Sequence, residues 1–233
     1  MTNNCFLFDV DGTLSDPRQP MESDFAVFFG TWVQNNNVYL VSGSDLPKIK
    51  EQIPNNILKK CKGIFSCMGN EFWIDNKKIY ENELKIPEEV ENFLESKIVN
   101  SEFKYRKPPH FEYRTGMLNF SIVGRGASRP LRLYYNEWDE MKKERDQIVK
   151  EFNNLFNKKY GIEVLAGGQI SLDIQKIGKD KGQILDHLTY DNYIFFGDKC
   201  EKGGNDYNLY TKSNEKWHVR SYKDTFKILK NNY

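Results

Sequence analysis

The sequence predicts an α/β protein: a Rossmann-like core with a parallel sheet, interrupted by an inserted α+β domain with an antiparallel sheet. Short apolar runs, "CFLFDV", "VYLVSGS" and "NYIFFGD", each end in small or acidic residues, and segments with helical spacing, "LPKIKEQI", "GQILDHL" and "YKDTFKIL", lie between and after them. Apolar strands alternating with helices form parallel sheets covered on both faces. The middle of the chain has another pattern. There "IPEEVENFLESKIVN" spaces its apolar residues like an amphipathic helix, "HFEYRTGMLNFSIVG" and "IEVLAGGQISLDI" alternate like half-exposed antiparallel strands, and the helical "ERDQIVKEFNNLFNKKYG" stands between them. The predicted core is residues 1–80 with 181–233, and the insert is 81–180.

With 233 residues and 39% hydrophobic content, the chain can bury a substantial core. Lys plus Arg (34) nearly balance Asp plus Glu (33), so no global field favours nucleic acid or an anionic membrane, and neither is an expected partner. No apolar run approaches the roughly 18 to 20 residues that span a bilayer. The amino terminus lacks the pattern of a secretory leader, so a cytoplasmic protein is expected. Cys5, Cys61, Cys67 and Cys200 are scattered without a C-x-x-C pair, which suits reduced core thiols. His110, His187 and His218 form no cluster in sequence.

The chemistry concentrates at the ends of the predicted core strands. Asp9 and Asp11 stand one residue apart at the end of the first, followed by Gly12 and Thr13. Two such carboxylates repel each other unless a cation or a proton lies between them. A hard cation such as Mg²⁺ takes oxygen ligands and is commonly held by one or two carboxylates plus substrate phosphate. Gly12 permits close backbone approach to an anion, and the Thr13 hydroxyl can bind phosphate oxygens. Ser42 sits where the second strand stops, before a helix that Ser44 or Asp45 can cap and that carries Pro47 near its start. Lys181 lies at another helix start, placed to favour a phosphoryl group or to neutralise a carboxylate. Asp198 follows the last strong strand, and Gly203, Gly204, Asn205 and Asp206 form a tight acidic loop after it, the oxygen-rich pattern a divalent metal needs. Open sheets of this kind bind ligands beyond the carboxyl ends of their strands, so Asp9, Ser42 and Asp198 are expected to converge.

D-x-D-G-T at the first strand, Ser at the second, Lys before a helix and G-D-x(6)-N-D at a later strand resemble the four motifs of the haloacid dehalogenase superfamily of phosphotransferases. More specifically, "FDVDGTLSDPRQ", "RTGMLNFSIVGR", "GGQISLD" and "FFGDKCEKGGNDYNLY" resemble the eukaryotic-type phosphomannomutases over nearly the whole chain. The resemblance implies a haloacid dehalogenase-like core with a C2b-type cap. It implies interconversion of mannose 1-phosphate and mannose 6-phosphate, with Mg²⁺ as cofactor and hexose 1,6-bisphosphate as activator. Asp9 would be the nucleophile, Asp11 the general acid and base, and Lys181 the partner of the phosphoaspartate, whose oxygens Ser42 would bind. Asp9, Asp11 through its carbonyl, Asp198, Asn205 and Asp206 would form or orient the metal site. In the insert, Arg114, Arg125 and Arg132 would clamp the phosphate that is not reacting, while Asn119, Ser171 and Asp173 match substrate positions and Arg18 matches one near the hinge. A sugar-phosphate substrate and a homodimer formed through the cap follow from the same resemblance.

The chain departs from the family pattern after the third core strand, where an E-N-G tripeptide is usual and "SCMGNEFW" places Cys67, Met68 and Gly69. That departure bears on the balance between transfer to sugar and transfer to water. A Mg²⁺-dependent sugar phosphatase is therefore the alternative, and a non-catalytic sugar-phosphate binding protein is a third reading.

Overall fold

The computed structural model describes residues 3–233. It divides into two compact units, one holding the chain up to Asn82 together with Gly178–Tyr233, the other Glu83–Ile177. In chain order, the first unit begins with β1 (Asn4–Phe8), α1 (Ser23–Trp32), β2 (Asn37–Val41), α2 (Leu46–Gln52), α3 (Asn55–Leu58), β3 (Gly63–Ser66), β4 (Glu71–Ile74) and β5 (Lys77–Glu81). The second unit carries α4 (Glu88–Asn100), β6 (Phe111–Arg114), β7 (Met117–Phe120), α5 (Arg129–Lys142), α6 (Glu144–Tyr160), β8 (Ile162–Ala166) and β9 (Leu172–Lys176). The chain then returns to the first unit with β10 (Asn192–Gly197), α7 (Tyr207–Lys212), β11 (Glu215–His218) and α8 (Tyr222–Asn232).

The first unit is built on a seven-stranded sheet in the order β11-β10-β1-β2-β3-β4-β5. From β11 to β3 the strands run parallel; β1, β2, β3 and β10 are largely buried on both faces and mostly apolar, whereas β11 at the edge alternates half-buried and exposed residues. In β1, Phe6 and Phe8 join the cluster that includes Phe25, Phe29 and Trp32 of α1, while Cys5 and Leu7 join the opposite cluster with Phe65, Ile184 and Leu209. Phe8 pairs in register with Phe196, stacks on its ring at 4.8 Å and meets Phe29 edge-on at 5.3 Å. Burying an aromatic ring of this size contributes about 1.5–3 kcal/mol.

Local chemistry sets the element ends. Asp45 caps α2 by accepting from the Lys48 amide at 3.2 Å, with Pro47 in the first turn. The "GQILDHL" segment forms a 3-10 helix over Lys181–His187 rather than an α-helix, and the Asp180 carboxylate caps it by accepting from the Gly182 amide at 2.7 Å. The sheet also has an antiparallel edge that a purely parallel core lacks. β4 and β5 form a hairpin whose turn residues Asp75 and Asn76 both lie in the left-handed region, with φ of 48° and 62°. Asp and Asn tolerate that region, and such a turn matches the twist of a hairpin.

The second unit is a four-stranded antiparallel sheet in the order β6-β7-β9-β8. Leu118, Phe120, Ile162, Val164, Leu172 and Ile174 bury one face against residues of α4, α5 and α6, among them Leu94, Tyr135 and Phe152. The other face carries a polar row. Glu112 lies opposite Asn119 and Asn119 opposite Asp173, so these three side chains share a face.

Candidate active site

Because β1 lies between β10 and β2 in the parallel sheet, the residues that follow these three strands emerge at one edge. They are Asp9, Ser42 and Asp198. Asp9 is anchored through its amide to the Phe196 carbonyl at 3.0 Å. Its carboxylate is buried, with Oδ1 accepting from Lys181 Nζ and Oδ2 from the Thr13 hydroxyl at 3.4 Å. Lys181 is wholly buried and also donates to Asp206 Oδ1 at 2.7 Å, while Asp206 Oδ2 accepts from the Lys199 amide at 3.0 Å.

The electrostatics follow from the count of charges. Asp9, Asp198 and Asp206 bring ligand oxygens within 4.8 Å of one another, and Lys181 is the ammonium bonded among them. Burial pushes the Asp9 carboxyl well above its usual range; Lys181 opposes the shift, and Asp206 and Asp198 add to it. Asp198 is pushed up to about 6, by burial first and then by Asp206. Burial works against the Lys181 charge, but Asp206 and Asp9 outweigh it and hold its pKa above the usual lysine value. Lys199, half exposed, approaches Asp198 Oδ2 at 3.9 Å from outside the cluster; two ammoniums do not balance three carboxylates, and one negative charge is left over when all are ionised.

Asn205 adds an independent observation, for its Oδ1 is buried and makes no hydrogen bond among the described residues. An oxygen-only set of clustered carboxylates with an unpartnered amide oxygen beside Asp206 fits a hard divalent cation. Gly12 makes room for this arrangement. It has φ of 86°, and a Cβ there would lie 2.5 Å from Asp198 Oδ2, so only glycine suits the position.

Asp11 belongs elsewhere. Its carboxylate is not part of the metal-competent group; Oδ1 accepts from the Arg18 amide at 3.0 Å and Oδ2 from the Ser44 hydroxyl at 3.4 Å. The two neighbouring aspartates therefore face different partners. Ser42 is buried, with its amide on the Phe65 carbonyl at 2.9 Å and its hydroxyl accepting from the Ser44 amide at 3.0 Å. The structure thus brings together Asp9, Lys181, Asp198, Asn205 and Asp206, with Asp11, Arg18 and Ser42 on the adjoining turns of the same unit.

Arg114, Asn119, Arg125, Arg132, Ser171 and Asp173 belong to the second unit. There Glu112 accepts from Arg114 Nη2 at 3.0 Å and from Arg125 Nε at 2.7 Å. Arg132 donates to the carbonyls of Ala127 and Arg125 at 2.8 and 2.7 Å. Asn119 Nδ2 donates to Asp173 Oδ1 at 2.5 Å, and a Cβ on Gly167 would meet both Asp173 Oδ2 and Ser171 Oγ. Sequence reasoning missed Glu112, the residue that orients two of the arginines. The available signal was its place two residues before Arg114, on the same face of one strand.

The fold is the haloacid dehalogenase-like one: a crystal structure of a haloacid dehalogenase-like hydrolase from Bacteroides thetaiotaomicron matches with a TM-score of 0.63 at 14% identity, covering 100% of both chains. Within that class the family is specific. The family described as eukaryotic phosphomannomutase matches residues 26–233. A phosphomannomutase of Solanum lycopersicum is 34% identical over 229 residues, covering 95% of this chain and 90% of that protein. Phosphomannomutase 1 of Dictyostelium discoideum is 33% identical over 216 residues, covering 89% and 86%. The chain belongs to the eukaryotic phosphomannomutase family and is an enzyme of that type. Among the described residues, no helix is long and apolar enough to cross a membrane.

Proposed function

We propose that the protein interconverts mannose 1-phosphate and mannose 6-phosphate, with Asp9 as nucleophile and Asp11 as general acid and base. The observation that carries this reading is the division of labour between the two aspartates. Asp9 is buried against a lysine and two further carboxylates, whereas Asp11 is held apart by an amide and a hydroxyl. In the proposed cycle an Asp9 oxygen attacks phosphorus of a hexose 1,6-bisphosphate, the bond from phosphorus to the sugar oxygen breaks, and Asp11 gives that oxygen its proton. In the second half, Asp11 takes the proton from a hydroxyl at the other end of a hexose monophosphate. The freed oxygen attacks the phosphoaspartate, and Asp9 returns to a carboxylate. Lys181 stabilises negative charge on the Asp9 oxygens throughout, and Ser42 binds phosphate oxygens.

Mg²⁺ is the cation proposed for Asp9, Asp198 and Asp206, with Asn205 and the Asp11 carbonyl beside them. When bound, it neutralises excess negative charge and polarises a phosphoryl oxygen. In the second unit, Arg114, Arg125 and Arg132 take the phosphate that is not reacting, since guanidinium forks suit phosphate oxygens. Asn119, Ser171 and Asp173 take the sugar hydroxyls, and Arg18 assists at the substrate.

The test is a phosphorus NMR time course with mannose 1-phosphate, Mg²⁺ and a trace of hexose 1,6-bisphosphate. Mannose 6-phosphate is expected to accumulate with little inorganic phosphate; inorganic phosphate alone would establish a phosphatase instead.

The metal proposal has its own test in the stability of the protein. Asp198 has its folded pKa raised above the unfolded value of about 4. The metal-free fold binds more protons than the unfolded chain between these values and so loses stability as pH rises from about 4 through about 6. Mg²⁺ is expected to raise the melting temperature at pH 7.5 and to do so much less at pH 5, where Asp198 is protonated. Calorimetry with and without Mg²⁺ at the two pH values checks this, and an equal effect at both, or none, would remove the metal from this cluster.

A further inference from the structure

Cys67, Met68 and Gly69 follow β3 with φ of 50°, 62° and 86°, three successive residues in the left-handed region of which two carry a Cβ. Such backbone is costly and persists only where its surroundings over-determine it. Here they do. The amides of Cys67 and Met68 donate to the carbonyls of Ser44 and Ser42, each at 2.9 Å. All three carbonyls of the turn accept from side chains: Cys67 from Asn70 Nδ2, Met68 from Gln183 Nε2 and Gly69 from the Tyr80 hydroxyl, each at 2.9 Å. Met68 is fully buried, and a Cβ on Gly43 would lie 3.4 Å from its sulfur. The turn therefore sets the backbone that carries Ser42 and Ser44.

Gln183 is the residue that joins this turn to the lysine. It lies two residues after Lys181 on the same 3-10 helix, is 3% exposed and makes more than one polar contact. Besides the Met68 carbonyl, its Nε2 reaches the Lys179 carbonyl at 3.1 Å and Asn70 Oδ1 at 3.4 Å, and its Oε1 accepts from Asn82 Nδ2 at 3.3 Å. Asn82 ends one segment of the first unit and Lys179 lies next to the start of the other. A Cβ on Gly69 would meet Gln183 Cγ at 3.2 Å, so glycine lets the glutamine lie directly on the turn.

We infer that Gln183 is a positioning residue for phosphoryl transfer: by tying the Met68 carbonyl to the helix of Lys181, it fixes Ser42 and Lys181 in one register about Asp9. The inference rests on the chemistry proposed at Asp9. No single sequence motif marks it, because the network replaces side-chain chemistry at Cys67 and Met68 with backbone carbonyls held by Asn70 just after the turn, by Gln183 on the 3-10 helix and by Tyr80 on β5.

The test compares Gln183→Met, which keeps the length and loses the amide, with Gln183→Glu, which keeps an acceptor for Asn82. Wild-type turnover on mannose 1-phosphate is measured first, so that absence of the activity and loss of it in the variants are read separately. At a temperature where each protein is folded, Gln183→Met is expected to lower kcat by roughly tenfold to a hundredfold with KM within about threefold of wild type, the mark of misplaced reacting groups. Gln183→Glu carries the test if Gln183→Met does not fold. Its carboxylate cannot donate to the Met68 carbonyl but its neutral acid can, so its turnover relative to wild type is expected to rise as pH falls from 8 to 6. A lowered melting temperature with kcat per folded molecule within twofold of wild type, or a ratio indifferent to pH in Gln183→Glu, would reduce Gln183 to a structural residue and overturn the inference.

Discussion

Replacing Asp9 by Asn is expected to abolish turnover, lowering kcat by at least about 10⁴-fold, while the protein stays folded. Asparagine keeps the shape and an acceptor oxygen for Lys181 but is no nucleophile toward phosphorus. It also removes one of three crowded carboxylates, and Lys181 keeps Asp206 as its ion-pair partner. The melting temperature should therefore hold or rise slightly. A phosphorus NMR time course and a thermal melt of the same sample separate the two effects. Residual turnover at more than a few per cent of wild type would take the nucleophile role away from Asp9.

Lys181→Met carries the largest expected loss of stability. The ammonium has no exposed surface and bonds both Asp9 and Asp206, so removing it leaves two buried carboxylates without their shared counter-charge. Breaking a buried pair in this way costs about 3–5 kcal/mol, more than the apolar packing of methionine recovers. The sign of the pH dependence follows from Asp9, whose pKa burial already raises. With the lysine gone, neutralisation of Asp9 must come from a proton, so the destabilisation is full at pH 7.5 and shrinks toward pH 5. Urea unfolding at both pH values measures it. A loss below about 1 kcal/mol at pH 7.5 would mean that the cluster is solvated or differently charged.

Much of the core was legible because its signals are local. Parallel strands buried on both faces appear as continuous apolar runs, and their ends appear as abrupt changes to Asp, Ser and Gly within two or three residues, as at Phe8–Asp9 and Val41–Ser42. Capping is equally local, and Asp45 takes the place that the spacing before Pro47 offered. The β4–β5 hairpin was harder to see. Asp75-Asn76 lacks the glycine that usually announces such a turn, and its strands are short and half exposed. The 3-10 form of Lys181–His187 was likewise hidden, since apolar spacing over seven residues does not distinguish it from an α-turn.

What the sequence by itself determined, then, is which residue types stand at the strand ends and which face of each strand is apolar, because both depend on neighbours a few residues away. Which charge meets which was decided by tertiary structure. Asp9 and Lys181 are separated by 172 positions, and only the parallel register of β10, β1 and β2 and the return of the chain to the first unit bring them into contact. The same holds for the separation of Asp9 from Asp11. With only Val10 between them in sequence, they acquire different partners because one side chain enters the buried cluster and the other meets Arg18 and Ser44 at the turn. Electrostatic environment depends on distance and burial in three dimensions, and neither quantity is encoded within the reach of a local motif.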